Sequence, residues 1–444
     1  MGNELSNVYG VAVIGCGTVG GPTAALISSD GERLRRISGS RVTLTHIVDV
    51  DFDNAKSLGL PESLFYRDID APLSDERVKI VVELVGGLDF AFDISKRAIA
   101  AGKHVVTANK ALLAHRGAEL MALARKNGVT ISFEASCGGG IPVVRAIYEG
   151  LLANRIDALY GIVNGTCNYI LSAMVRRGQS YAEALKQAQL NGFAEADPTM
   201  DVSGHDSAHK LAILASLAFG VCVELDRIPI EGIDTLEALD VAFGQELGYV
   251  AKLLAVAQRR GNGISLRVRP SFIGLDHPLA WVSGPFNAVS VYGNTVGHTM
   301  YYGRGAGGSP TASAVVADIL AVAIGAYEKS FSSLLLWPDV TEPANQLEME
   351  EIESRYYLRV TVEDKPGVFA QLAKILGDHA ISISSVLQKE PPESEGPAAV
   401  PVVITTHGTN EGNVRRALSE IDELACCTKP SVFINIIDEH EETI

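Results

Sequence analysis

Residues 192–215 read GFAEADPTMDVSGHDSAHKLAILA, and no other stretch gathers so many groups able to do chemistry. Glu195, Asp197, Asp201, Asp206 and Lys210 stand just ahead of a long apolar run. Helical periodicity begins where Asp206 and Lys210 lie four apart, so the two share one helix face. The run after Lys210, LAILASLAFGVCV, is apolar on nearly every side, as a buried helix is. A lysine–carboxylate pair at the mouth of such a helix is costly unless it has a task. It is either a structural salt bridge or a charged catalytic centre, and its spacing alone leaves both readings open.

Other motifs hold what a catalytic centre would need. Gly15-Cys16-Gly17-Thr18-Val19-Gly20 follows an apolar strand and opens a helix, the context a dinucleotide-binding loop requires. Gly15 allows the tight turn, Gly17 lets the backbone approach a pyrophosphate, and Gly20 permits close helix–strand packing. The helix start at Thr18 and Val19 supplies unpaired N–H groups for phosphate. A second strand ends in Ile47-Val48-Asp49-Val50-Asp51. A carboxylate at Asp49 accepts hydrogen bonds from an adenosine ribose and repels a 2′-phosphate, and no Arg or Lys follows in sequence until Lys56, so NAD is favoured over NADP. Lys110, in Thr107-Ala108-Asn109-Lys110, sits at the C-terminal edge of a strand, where open parallel sheets bind ligands. It could reach the nicotinamide or a substrate, or merely cap a loop. Glu134-Ala135-Ser136-Cys137-Gly138-Gly139-Gly140-Ile141-Pro142 combines a carboxylate with exposed carbonyls, a set able to hold a hard monovalent cation or to serve as a hinge. The amides and hydroxyl of Asn164-Gly165-Thr166-Cys167-Asn168 could hold a small polar substrate, although Asn-Gly also favours a plain turn. Tyr302-Gly303-Arg304-Gly305-Ala306-Gly307-Gly308 is a second glycine-rich loop, placed to complete a cofactor site from the far side through Gly305.

The elements that must position these residues fall into three parts. Strands at 8–15, 42–50, 79–85, 104–108 and 129–135 alternate with helices from Thr18, around 90–101 and around 112–126. Continuous apolar strands between helices mean an α/β, doubly wound parallel sheet, expected over residues 1–145. Residues 146–340 are less regular. Helical patterns over 180–192, 205–220 and 246–259, a strand at 267–273 and a turn-rich stretch at 284–308 suggest an α+β catalytic and dimerisation domain. A helix near 309–328 is expected to fold back on the first domain. The acidic, Pro-containing stretch 337–354 reads as a linker, assigned to 341–354. Residues 355–444 follow the order βαββαβ of a ferredoxin-like unit, with PPESEGPAA (391–399) as the loop between its middle strands.

Composition narrows the class. At 444 residues, two or three domains are expected. The formal charge of −16 and the absence of a basic stripe argue against nucleic acid and anionic membranes. No apolar run spans a bilayer and no signal peptide is visible. The six cysteines lack metal or redox spacing, which fits reduced thiols in the cytoplasm. The Met1–Ser6 match to a myristoylation pattern and the Asn164-Gly165-Thr166 sequon are read as coincidences.

Taken together, GCGTVG, VTANK, EASCGGGIP, NGTCNYIL, GFAEADPTMDVSGHDSAHKLAILA and GRGAGGSPTASAVVADI resemble homoserine dehydrogenase, in that family's order, from about Val8 to Ala326. The tail, with Asp364-Lys365-Pro366-Gly367-Val368 between strand and helix, looks like an ACT domain, as in the long bacterial form. The resemblance implies a Rossmann domain and interconversion of aspartate 4-semialdehyde and homoserine with NAD or NADP, on the route to threonine, methionine and isoleucine. It implies Asp206 and Lys210 as the catalytic pair, Lys110 as the nicotinamide-side lysine, and Glu195 and Asp201 as substrate carboxylates, with Asn164 and Thr166 beside them. It also implies a cation such as Na+ held by Glu134 and the carbonyls of Cys137, Gly139 and Ile141, with Cys137 where the family usually has a small or β-branched residue. An amino-acid effector at the ACT unit, threonine foremost, and a homodimer or homotetramer complete the expectation. Two rivals remain. One is an aspartate semialdehyde dehydrogenase of the same fold, which would need Cys137 or Cys167 as a nucleophile. The other is a non-catalytic amino-acid sensor with an inert dinucleotide fold.

Overall fold

The computed structural model describes residues 8–389 and 399–441. The Met1–Ser6 pattern and nearly all of the 391–399 loop lie outside them.

Six parallel strands form the first sheet: β1 (Val8–Ile14), β2 (Arg41–Val48), β3 (Phe65–Tyr66), β4 (Val78–Glu83), β5 (His104–Thr107) and β6 (Ile131–Ser132). Their order, β3-β2-β1-β4-β5-β6, reverses direction at β1. That reversal leaves a crevice at the carboxyl ends of β1 and β4, where doubly wound sheets bind ligands. Val11, Val13, Ile80, Val82 and Val105 are fully buried, as the continuous apolar strands require. The strand expected over 129–135 is hydrogen-bonded only at β6, because a 3-10 turn at Glu134–Ser136 ends it early.

A second, mixed sheet carries the rest of the chain. Its strands are β7 (Ile156–Ile162), β8 (Tyr249–Arg260), β9 (Gly263–Gly274), β10 (Phe286–Gly293), β11 (Gly297–Arg304), β12 (Glu353–Glu363), β13 (Ile383–Gln388), β14 (Ala399–Thr406), β15 (Thr409–Asn410) and β16 (Cys427–Ile437). The order is β11-β10-β7-β8-β9-β16-β12-β14-β13, with β15 paired to β12. The tail therefore does not hang free: β16 pairs in parallel with β9 through Asn435–Ser271, Phe272–Ile436 and Ile273–Ile437.

Three expectations are corrected here. Residues 249–260 of the expected 246–259 helix form a strand, β8. Its side chains are buried on both faces between β7 and β9, and an apolar run of that kind fits either period. The Gly261-Asn262 pair that turns β8 into β9, with Gly261 at φ +55°, was the overlooked hairpin signal. The turn-rich 284–308 stretch contains a second hairpin, β10–β11. The 341–354 linker is a packed strap. Cys222 bridges Pro343, Ile264 bridges Gln346, and Ala344 and Gln346 are buried. Just ahead of the strap, Trp337 is fully buried against Tyr148 and Phe331. The helix Gly308–Ala323 does return to the first sheet: Ser40 donates to the Ala323 carbonyl, and the Asp318 carboxylate accepts the Glu134 N–H at 2.8 Å. Among the described residues, no single helix is long and apolar enough to cross a membrane.

Candidate active site

Each glycine of the 15–20 loop has a distinct steric role. Gly15 sits at φ +90°, a Cβ on Gly17 would meet nothing within 4 Å, and one on Gly20 would lie 1.8 Å from the Gly15 carbonyl oxygen. Gly17 thus leaves the open space a phosphate needs, while Gly20 lets the helix touch the strand. Helix Gly20–Ser38 begins without a side-chain cap and without an acid in its first turn, so its N–H groups and dipole are available to an anion. Thr18 is exposed and Val19 half-buried at that opening. These features fit a dinucleotide. Gly308 packs on the Thr18 carbonyl and Gly139 on the Gly305 carbonyl, so the three glycine-rich loops meet.

Asp49 is half-buried at the end of β2. Its carboxylate accepts the Cys16 N–H of the loop, and the Val50 N–H at 2.6 Å. It therefore holds the glycine-rich loop in place. The sequence reading missed Arg67. The pairing of β3 with β2 brings it alongside, where its guanidinium donates to the Val50 carbonyl at 2.8 Å. A basic side chain does stand near Asp49 in space, though not in sequence. Asn54 was missed as well; it donates to the carbonyls of Cys16 and Gly17, both at 2.8 Å.

The acid–base cluster forms where two helices start. Gly204, at φ +89°, begins helix His205–Phe219, and every residue from Asp206 to Phe219 is buried. Asp206 Oδ2 accepts from Lys210 Nζ at 2.7 Å and from Asn164 Nδ2 at 2.8 Å, while Oδ1 faces Lys110 Nζ at 2.8 Å. Lys110 is the first residue of helix Lys110–Lys126, capped by Asn109. A cation at a helix N-terminus is unfavourable by itself, and Asp206 offsets it. Burial would raise Asp206, but Lys210 and Lys110 outweigh it and hold the carboxyl far below the usual carboxylate range. Burial would lower Lys110, yet Asp206 leaves it above the ordinary lysine value. Lys210 also donates to the Val163 carbonyl at 2.7 Å. An ammonium has three N–H groups, so one remains without an acceptor among the described residues.

Asn164 caps helix Gly165–Arg177 by accepting the Cys167 N–H, and this orients its amide toward both Asp201 and Asp206 at 2.8 Å. Thr166 Oγ1 lies 3.1 Å from Asp201 and 2.7 Å from the Phe193 carbonyl. Asp201, Asn164, Thr166, Asp206, Lys110 and Lys210 thus make one connected network. Glu195 stays apart: it is exposed in the 191–198 loop, and its carboxylate contacts no partner among the described residues.

Glu134 is buried, and its two oxygens accept the Val144 and Arg145 N–H groups at 2.9 and 2.8 Å. Asp318, also buried, pairs with Arg145 at 3.0 Å. Burial pushes both carboxyls up, to about 7, with only Arg145 paired between them. A further cation would fit that shortage of positive charge. Cys137, Gly139 and Ile141 lie in the adjoining turn, closed by the Ile141 N–H to the Gly138 carbonyl at 2.9 Å. Burial drives the Cys137 thiol up to about 12 and Cys167 well above its ordinary value, so neither is a ready thiolate. The nucleophilic-cysteine reading loses its nucleophile.

A family model for homoserine dehydrogenase matches residues 142–320. One for the homoserine dehydrogenase NAD-binding domain matches 15–134, and one for the ACT domain matches 356–426. Homoserine dehydrogenase of Neisseria gonorrhoeae is 41% identical over 434 residues, 97% of this chain and 99% of that one. The chain belongs to the homoserine dehydrogenase family. A crystal structure of a homoserine dehydrogenase from Thiobacillus denitrificans superposes with TM-score 0.90 at 41% identity, covering 98% of this chain and 99% of that one. A hyperthermophilic archaeal homoserine dehydrogenase in complex with NADPH is 27% identical with TM-score 0.60, over 71% of this chain and 97% of that one. Membership makes the protein an NAD(P)-dependent oxidoreductase that interconverts aspartate 4-semialdehyde and homoserine, with an ACT unit that fits amino-acid regulation.

Proposed function

We propose that the Asp206–Lys210–Lys110 cluster carries out the proton chemistry of this reaction, and that the network around Asp201 holds the substrate. A bound nicotinamide supplies a hydride to the aldehyde carbon. Negative charge then grows on the carbonyl oxygen, and Lys210 aims its remaining N–H there, with Lys110 as the second ammonium. Asp206 keeps both lysines charged and fixed. Lys210, directly or through a water, gives the proton that completes the alcohol. Asp201 and Glu195 accept from the substrate ammonium group, Asn164 and Thr166 orient Asp201, and the 191–198 loop must bring Glu195 inward. The observation that carries this reading is a single buried carboxylate shared by two lysines from different helices, 2.7 and 2.8 Å away.

Residues 1–145 would serve the nucleotide, through Gly15, Gly17, Thr18, Val19, Gly20 and Asp49, joined by Gly305 from the second glycine-rich loop. Residues 146–340 would serve the substrate and 355–444 the effector. NAD would be the preferred cofactor, with Asp49 accepting from the ribose, and Arg67 leaves room for NADP. Glu134 with the Cys137, Gly139 and Ile141 carbonyls would hold a monovalent cation such as Na+. Threonine is the first candidate effector. Sheet-edge pairing of ACT units, with β13 at the edge among the described residues, would make a homo-oligomer the working form. Lys210→Ala tests the central assignment. Turnover should fall by about 10²–10³-fold while NADH binding, followed by fluorescence, survives. Near-normal turnover would end it.

A further inference from the structure

A polar cavity of about 790 Å³ lies where the tail's last strand meets the catalytic sheet. Arg267, on β9, lines it and is 2% exposed. No carboxylate lies within 4 Å of its guanidinium among the described residues. Its Nη atoms reach only Ser265 Oγ at 3.3 Å and Gln258 Oε1 at 3.5 Å, and Nε has no partner. Arg269, two residues on and on the same face, shares the unpartnered Nε, but its Nη atoms are bonded by Glu411, Asn435 and Glu231. The charged groups that act most on Arg267 include Arg269 and Arg260, both cations, and burial with this repulsion pushes it down to about 10. Arg260 lines the same cavity and also lacks an ion pair among the described residues. A buried guanidinium beside a polar cavity and without an anion is an expensive arrangement that a carboxylate ligand would relieve. The lining carries both signs of charge: Arg155 pairs with Asp157 and Arg355 with Asp438, while Glu353 and Glu441 have no cationic partner among the described residues.

We infer that this cavity binds a free α-amino acid, its carboxylate on Arg267 and Arg260 and its ammonium group toward Glu353 and Glu441. The unpaired Glu353 and Glu441 carboxylates disfavour phosphate and other polyanions. The inference rests on the reading that the chain takes an amino-acid effector, and it places that effector at the seam between the ACT unit and the catalytic sheet. The seam is coupled to the catalytic helix by a short route. Val268 follows Arg267, bridges Ile230, and would lie 3.2 Å from a Cβ on Gly204, the residue that starts the helix bearing Asp206 and Lys210.

The experiment is calorimetric titration of the full chain with a panel of standard amino acids headed by L-threonine, with inorganic phosphate and acetate as anion probes. It is repeated on Arg267→Met and, at the exposed mouth, Arg260→Met. The wild type should bind one amino acid saturably. Arg267→Met should weaken it at least tenfold and Arg260→Met less, with uninhibited turnover unchanged and the Arg267→Met melting temperature equal or higher, because an unpaired buried charge has gone. Unchanged amino-acid affinity in both variants, with inhibition persisting, would overturn the seam site and leave the effector reading intact. Binding of phosphate but no amino acid would overturn the ligand class. Absence of both amino-acid binding and inhibition would overturn the seam site and the effector reading together. An altered oligomeric state with binding retained would show the cavity to be an interface between copies and overturn it too.

Discussion

Asp206→Asn is the sharpest perturbation of the cluster. The substitution keeps the side chain's shape and removes its charge. Asp206 is 4% exposed and faces three donor groups: Lys210, Lys110 and the Asn164 amide. An asparagine has one acceptor oxygen and one NH2 group, so at least one of these contacts becomes donor against donor. Two charge-assisted hydrogen bonds are lost, each worth about 1.5–3 kcal/mol. If both act in positioning the lysines, turnover should fall by about 10²–10⁴-fold. The pH dependence supplies a second readout. Asp206, aided by Asp201, outweighs burial and holds Lys110 above its ordinary value. Without the Asp206 charge, burial weighs more and the Lys110 value should fall. In the reduction of the semialdehyde, the alkaline limb of the rate profile should therefore move to lower pH. The assay is nicotinamide absorbance at saturating cofactor across a pH series, with NADH binding as the control for folding. Turnover within threefold of wild type, with an unmoved alkaline limb, would refute the shared-carboxylate reasoning.

Asp49→Ser should narrow the preference between NAD and NADP, and Arg67→Ala should weaken NADP more than NAD; equal effects of Arg67→Ala on the two KM values would remove it from the 2′ position. Glu134 and Asp318 have folded values raised to about 7, above their unfolded ones, so their stabilising contribution is present at low pH and lost as pH rises through 7. The melting temperature should therefore decline from pH 5 to pH 8, and NaCl should restore more of it at pH 8 than choline chloride of equal strength, if a cation sits beside Glu134. Trp337→Ala should cost about 3–5 kcal/mol in urea unfolding, because a fully buried indole leaves a cavity; a cost below about 1 kcal/mol would make 337–354 the slack linker its composition suggests.

Five of the six strands of the first sheet were legible because they are rich in apolar, β-branched residues and bounded by helical periodicity; the two-residue β3 was not. The Asp206–Lys210 pair was legible for the same local reason, a fixed spacing of four on a helix. Contacts between distant segments were not. Arg67 reaches Val50 only because a two-residue strand pairs with β2, and Phe65-Tyr66 carries no period of its own. β8 was misread because a strand buried on both faces carries the same apolar run as a buried helix. The strap at 341–354 has a linker's acids and a proline, but Ala344 and Gln346 anchor it, and neither signals that task in sequence. The joining of β16 to β9 rests on three paired residues and has no sequence signature at all.

The most direct measurement of the central claim is steady-state turnover of the purified full chain with L-homoserine and each nicotinamide cofactor, alongside Lys210→Ala. The site expects nicotinamide reduction with homoserine, faster with NAD, and a loss of about 10²–10³-fold in the variant. Absence of reduction with homoserine in the wild type, or equal rates in wild type and variant, would contradict it.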